Sequence, residues 1–361
     1  MVLKNNTQTQ ISLLFKKQSM SLKNLSVIKK IPKIYKSKIL NQKVNKIFKK
    51  FEKSFKIDTN FIVAVSGGPD SLALAFLTKL YSYKKNLNPK YFIIDHKLRK
   101  ESTFEAHKVK RILKSLNINS QVLTWKGKKP MSNTQSLARS KRYELLFSKC
   151  KKLKISNLVL GHHIDDLIEN FFLRMARGSG LKGLVSLGTN TQIENINLIR
   201  PLIKFEKRDL IFLSKFIFNF YVDDPTNNDI KFNRIKVRNL IKEFEDFGLD
   251  KKKFQLTIEN LKKSDQSIKF YVEKNKRENS INDYKKNELI LKENFFDNSH
   301  EVIFRSLSDL IHLVGKKPNF VRGKKIENIL KKIKKLKLRK ETLGGCVIKM
   351  VNHTVILTKE G

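Results

Sequence analysis

Two short stretches carry most of the chemistry open to this chain of 361 residues. The first is Ser66, Gly67, Gly68, Pro69, Asp70 and Ser71. Gly67 and Gly68 let a backbone approach a ligand closely and adopt dihedrals that a Cβ forbids. Ser66 and Ser71 add hydroxyl donors. Pro69 suits the first position of a helix, where its missing N–H costs nothing. A helix starting there presents unpaired N–H groups and the positive end of its dipole, which together hold phosphate. Asp70 is the odd member, because a carboxylate repels a polyphosphate unless a cation lies between them. It is therefore read as a Mg²⁺ ligand. No Gly-Lys-Ser/Thr follows, so this is not a Walker-type loop. The plain alternative is an ordinary strand-to-helix turn that contains two glycines.

The second stretch, residues 161–170, holds His162, His163, Asp165, Asp166 and Glu169. On a helix, Asp165 and Glu169 stand four apart and Asp166 and Glu169 three apart, so the three carboxylates can converge near the helix start. Such a group suits a cationic substrate, Mg²⁺, or removal of a proton from an amine. An acidic first turn that caps the helix explains one of the carboxylates. A zinc site would call for His-x-x-x-His spacing, which is absent.

Weaker signals surround these two. Asp95 lies where adenosine or a metal could be reached, with His96 and Arg99 toward phosphate, although a solvated loop explains the same residues. Arg139 and Arg142 share a helix face and could clamp a phosphate or carboxylate bidentately, or simply decorate a basic surface. Arg174, Arg177, Gly178, Ser179, Gly180 and Gly183 make a polar loop suited to phosphate or RNA.

The elements that must position these residues alternate. Strand-like runs at 61–65, 91–95, 121–125 and 157–161 are separated by helix-period segments at 72–83, 103–116, 134–153 and 164–177. That alternation predicts an α/β fold with a parallel, Rossmann-like sheet covered on both faces. Ligands on such sheets bind beyond the carboxyl ends of the strands, and each motif above falls at one.

Composition bounds the rest. No apolar run is long enough to span a membrane. Cys150 and Cys346 stand too far apart for a disulfide framework or a zinc or iron–sulfur set, so a reducing, cytoplasmic setting is expected. The acid-free, serine-containing first fifty residues leave organellar import open. A net charge of +43 points to a polyanion partner, most naturally RNA. Abundant Lys, Asn, Ile and Phe, as from an AT-rich coding sequence, inflate that figure.

In order, Ser66–Ser71, the residues from Asp95 to Arg99, those from Asn133 to Tyr143, those from Gly161 to Glu169, and Arg177 to Leu184 resemble the tRNA(Ile)-lysidine synthase family of ATP pyrophosphatases. So do Arg200-Pro201-Leu202, Asp224-Pro225-Thr226-Asn227, Phe232, Arg234 and Arg238, and Thr342 to Cys346. The resemblance implies a PP-loop adenylating enzyme that uses ATP and Mg²⁺. Its partners would be free L-lysine and the isoleucine tRNA with a CAU anticodon. ATP adenylates the 2-carbonyl oxygen of the wobble cytidine, and the lysine side-chain amine then displaces AMP. On that reading Ser66, Gly67, Gly68, Pro69, Asp70, Ser71 and Asp95 hold the nucleotide, and Asp70 the metal. Asp166 and Glu169 bind the ammonium and take its proton, while His162 and Arg139 stabilise charge on the transferring AMP. The family usually carries Gln and Thr at Leu167 and Asn170, Asn at Ile235 and Gly at Lys97. The rivals are a thiolating PP-loop enzyme and a catalytically degenerate RNA-binding protein. Oligomeric state stays open, with a homodimer as one form.

The expected organisation has a poorly ordered basic extension over 1–50, ending in a helix near 44–55, and an adenylating domain over 51–218. A mainly helical middle region follows over 219–298, with 281–296 as a linker, and a small basic α+β tRNA-binding domain over 299–361.

Overall fold

The computed structural model describes residues 31–99, 101–125, 127, 134–223, 233–317 and 319–361, without the side chains of 134–136 and 233. The chain divides into two compact units, Met1–Gln255 and Leu256–Gly361. In the first, helices α1 (Lys33–Ile39) and α2 (Gln42–Ser54) precede strand β1 (Phe61–Val65). Strands β2 (Lys90–Asp95), β3 (Ser120–Thr124), β4 (Asn157–Val159), β5 (Asn190–Ile193) and β6 (Ile196–Ile199) complete one sheet in the order β3-β2-β1-β4-β6-β5. All neighbours are parallel except the edge strand β5. β1 is buried on both faces, which is why it reads as an unbroken apolar run. The chain leaves β1 toward β2 and β3, then returns to its other side for β4. The crevice between the ends of β1 and β4 is therefore a topological switch point, where ligands bind on such sheets.

Helix α3 (Pro69–Lys85) follows β1 and is buried along most of its first three turns. It packs between the sheet, α2 and helix α8 (Lys207–Phe218). It ends at Asn86 in the left-handed region, φ 54°, which a short polar side chain tolerates. Helices α4 (Ser102–Ser115), α5 (Thr134–Leu153), α6 (Ile164–Met175) and α7 (Leu181–Leu184) fill the other connections, and α9 (Asn233–Asp246) follows α8.

The described N-terminal residues are not a loose extension. Tyr35, Val44, Ile47, Phe48 and Phe51 are buried in the main core, and the Tyr35 hydroxyl donates to the Leu116 carbonyl at 2.7 Å. The helix expected near 44–55 is α2, whereas α1 before it was not expected. Residues 1–30 lie outside the described residues, as do the expected contacts at 224–227 and Phe232. The β5–β6 hairpin is a further addition, two four-residue strands too short to stand out as a pattern.

Helix α10 (Lys251–Asn279) runs into the second unit. There β7 (Ser280–Asp283), β8 (Glu288–Leu291), β9 (Lys340–Leu343), β10 (Cys346–Val351) and β11 (Thr354–Lys359) form an antiparallel sheet in the order β7-β8-β11-β10-β9. Helices α11 (His300–Gly315) and α12 (Gly323–Lys334) share its core. β10 and β11 form an antiparallel hairpin at the end of this unit. The expected linker over 281–296 is instead β7, β8 and a 3₁₀ turn, because Leu289, Leu291 and Phe295 are buried in that core. On α12, Ile326, Ile329 and Ile333 face inward and lysines occupy most of the remainder. Among the described residues no helix is long and apolar enough to cross a membrane.

Candidate active site

The turn after β1 closes on itself through Ser71. Its Oγ accepts from the N–H groups of Ser66 and Gly67, each at 3.1 Å, and donates to the Gly68 carbonyl at 3.0 Å. Ser71 therefore shapes the loop, while Ser66 remains exposed to meet a ligand. Gly67 has φ +89°, and a Cβ there would lie 2.7 Å from Val109 and 2.9 Å from Val222. Only glycine fits that position. The loop is also tied from outside: the Val222 N–H donates to the Gly67 carbonyl at 3.0 Å, and Ser214 Oγ to the Pro69 carbonyl at 2.6 Å. Gly161, at the end of the β4 segment, approaches the start of α3 so closely that a Cβ would sit 3.3 Å from the Asp70 and Ser71 backbone. That contact brings the two motifs together.

Across the crevice His163 caps α6. Its Nδ1 accepts the Asp165 N–H at 3.2 Å, and the Asp166 carboxylate accepts the His163 N–H at 2.9 Å. This reciprocal pair is a capping box. With Nδ1 accepting, a neutral ring carries its proton on Nε2. That atom lies 3.6 Å from Asp70 Oδ2 and 3.5 Å from Asp166 Oδ2. His163, 4% exposed, thus joins the two turns. Asp70 Oδ1 is buried without a hydrogen-bond partner. Burial holds the Asp70 carboxyl above its ordinary range, with His163 pulling it down and Asp166 pushing it up. Burial also acts upward on Asp166, but His163, His162 and the His163 N–H outweigh it and hold that carboxyl low. A buried carboxylate oxygen with no donor fits a divalent cation. Among the described residues no three side chains group to hold a metal unaided.

Glu169, 3% exposed, meets Arg238 Nε at 2.7 Å and Arg234 Nε at 3.4 Å. Burial raises its carboxyl, and the two guanidiniums only partly offset this. Asp165 turns the other way and pairs with Lys251 at 2.8 Å. Asp165 and Lys251 help to line a 420 Å³ cavity with Glu206, Lys207, Glu245 and Asp250. Asp95 accepts from the Lys97 N–H, Ser102 and Thr103 at 3.0, 2.8 and 2.7 Å. Burial pushes its carboxyl up, yet these three donors hold it below the ordinary value. In this structure Asp95 orders the β2–α4 turn, rather than presenting a free carboxylate to adenosine or metal. Arg139 lies on α5 with its guanidinium 5.3 Å from the Tyr143 ring centre, and that of Arg142 lies 5.6 Å away. His162 is half-buried with Nδ1 unpartnered. Burial pushes its pKa down to about 3, helped by Arg200, Arg142 and Arg139 and opposed by Asp166.

Residues 36–244 match the PP-loop domain family. The chain is 30% identical to the tRNA(Ile)-lysidine synthase of Wolbachia sp. subsp. Brugia malayi, over 87% of this chain and 74% of that protein. It belongs to the tRNA(Ile)-lysidine synthase family. The enzyme of the same name from Rickettsia felis is 31% identical over 82% of this chain and 69% of its own length. That from Orientia tsutsugamushi is 40% identical over 52% of this chain, a match spanning only 43% of that relative. Among solved structures, the U34-tRNA thiolase NcsA from Methanococcus maripaludis superposes with a TM-score of 0.54 at 17% identity. That likeness covers 61% of this chain and 78% of the thiolase, and it shows a shared fold.

As a PP-loop protein the chain uses ATP, and its departures from the family pattern have local accounts. Lys97, where the family has glycine, sits at φ +50°, a backbone region that favours glycine. Leu167 and Ile235 are buried apolar residues. Cys150 and Cys346 are buried, and burial raises each thiol to about 11, which leaves little thiolate for sulfur chemistry. Sequence reasoning gave no individual role to His163, Arg234, Arg238 or Arg200. For His163 a signal was present, since Asp166 stands three residues on, at capping-box spacing.

Proposed function

We propose that this protein ligates free L-lysine to the 2-position of the wobble cytidine in the CAU-anticodon isoleucine tRNA, through an adenylated cytidine, releasing pyrophosphate and AMP. The observation that carries the reading is the meeting of Asp70, His163 and Asp166 at the switch point, beside the glycine turn that opens α3. The first-turn N–H groups of α3 and Ser66 bind the triphosphate. Asp70, with its free Oδ1, would hold Mg²⁺, which would neutralise charge on the leaving pyrophosphate. His162, kept uncharged by burial, donates a neutral hydrogen bond to the transferring phosphoryl group, and Arg139 supplies positive charge there.

The second step needs a neutral amine, yet the lysine side chain is protonated near neutrality. Asp166 is held ionised and receives the ammonium, while Glu169, whose carboxyl burial raises, is the stronger base to accept its proton. Glu169 is already paired with Arg238 and Arg234. A free amino acid brings both signs of charge. Its carboxylate can engage the guanidiniums while its ammonium meets Asp166 and Glu169, so no buried charge is left unpaired.

Incubation with ATP, labelled lysine and tRNA transcripts tests this. The expected result is stoichiometric incorporation into the CAU-anticodon isoleucine transcript, with pyrophosphate released and the elongator methionine transcript left unlabelled. Pyrophosphate release without amine transfer would overturn the ligation step, and no release at all would leave an RNA-binding protein.

A further inference from the structure

Three arginines gather around Tyr143 on the β6 side of the crevice. Arg139 and Arg142 place their guanidiniums 5.3 and 5.6 Å from the ring centre, and Arg200 lies close enough to interact with the same side chain. Arg200 is 4% exposed. Its Nη1 donates to the Gly188 carbonyl at 3.0 Å and to Thr191 Oγ1 at 2.9 Å, which fixes it toward the β5 edge. Its Nε is buried without a partner, as is Nδ1 of the neighbouring His162. Among the described residues no carboxylate lies at ion-pair distance from any of the three arginines. Asp166 acts on Arg142 from beyond ion-pair distance, and like charges brought this close with a buried donor unspent make a site that a bound anion stabilises.

The place in the sheet says which anion. The phosphate turn follows β1, His162 follows β4 and Arg200 follows β6, on adjacent strands. Strand spacing puts the β6 end about 10 Å from the β1 end, with His162 between. Phosphoryl transfer is in line, so the leaving pyrophosphate and the attacking oxygen lie on opposite sides of the phosphorus. With pyrophosphate at β1, the attacking base lies toward β6. We propose that Arg142 and Arg200 form a seat for an RNA backbone phosphate adjoining the adenylated nucleotide, separate from the seat of the ATP phosphates. This rests on the proposed function above.

The test is binding of a CAU-anticodon stem-loop without ATP or lysine, measured against salt, for wild type, Arg142→Gln, Arg142→Lys and Arg200→Lys. Arg142 carries the main test because Arg200 also braces the β5–β6 hairpin. Loss of one phosphate contact in Arg142→Gln should weaken binding several-fold and flatten the slope of log affinity against log salt by about 0.7. Arg142→Lys should keep the wild-type slope. Affinity for ATP alone and the KM for lysine should match wild type in all three variants. An unchanged slope in Arg142→Gln overturns the seat. So does a selective loss of ATP affinity, which would assign the arginines to the adenylate phosphate, or a selective rise in lysine KM, which would assign them to a carboxylate. A wild type that binds the stem-loop and ligates lysine while Arg142→Gln keeps its slope sinks the seat alone. A wild type that does neither sinks the proposed function.

Discussion

At the end of β1 the turn meets its own needs. Ser71 gathers two backbone N–H groups and a carbonyl, Gly67 takes a conformation no other residue fits, and one carboxylate oxygen of Asp70 is left over. At the end of β4 only the His163–Asp166 cap is local. Glu169 is held through charge by Arg234 and Arg238, across α6 and α9. One turn is defined by backbone shape, the other by the balance of ionised groups. The difference shows in their carboxylates. Asp166 binds its proton less readily in the fold than in the unfolded chain, so it stabilises the protein above its ordinary pKa and loses that contribution as pH falls through the folded value. Glu169 is shifted the other way, so its contribution is present at low pH and is lost as pH rises through the folded value.

Asp70 is where the two turns meet, and its removal is expected to have the largest effect. Asp70→Asn keeps the shape of the β1 turn but removes the negative charge from the crevice. Pyrophosphate release should fall on the order of 10³-fold, with thermal stability equal to or above wild type because a buried charge is gone. Near-normal turnover by this variant would show that the shape of the turn suffices and that the charge does not matter.

Glu169→Ala acts on the charge-built side alone. Arg234 and Arg238 lose their carboxylate, but both stay partly exposed, so the stability loss should be modest, about 1–3 kcal/mol. The KM for lysine should rise about tenfold or more, with affinity for ATP alone unchanged. An equal loss in ATP affinity would mean that the two turns are not separable as described.

The same contrast sets what could be read from the sequence. The β1 turn was legible because its chemistry is local: glycines, a proline at the first helical position and serines at fixed offsets dictate backbone shape. The four central strands were legible for the same reason. Burial and partner choice at the β4 turn are tertiary. Adjacent His162 and His163 look interchangeable in a sequence, yet one is the helix cap that joins the two aspartates and the other lies against arginines. Glu169 reads as a free carboxylate until α9 supplies its arginines, and Asp95 reads as a ligand until Ser102 and Thr103 fold back on it. The helix expected near 44–55 is present as α2, but its burial in the main core and the short α1 before it depend on tertiary packing.

The smallest expected effect concerns His162, and it separates shape from charge most cleanly. Burial together with Arg200, Arg142 and Arg139 keeps its pKa near 3, so it is neutral wherever the enzyme works. In ¹⁵N spectra of histidine-labelled protein, assigned with His162→Gln, its ring resonances should stay unchanged from pH 8 to pH 5, while free imidazole in the same tube titrates near neutrality. The acid limb of the activity profile should likewise survive His162→Gln with its midpoint unmoved, although the rate falls, because a neutral donor contributes a hydrogen bond and no titration. If His162 instead gains a proton between pH 5 and pH 8, the arginines do not press on it. The charge-built side of the crevice would then end at Asp166, and the anion seat beside it would lose its neighbour.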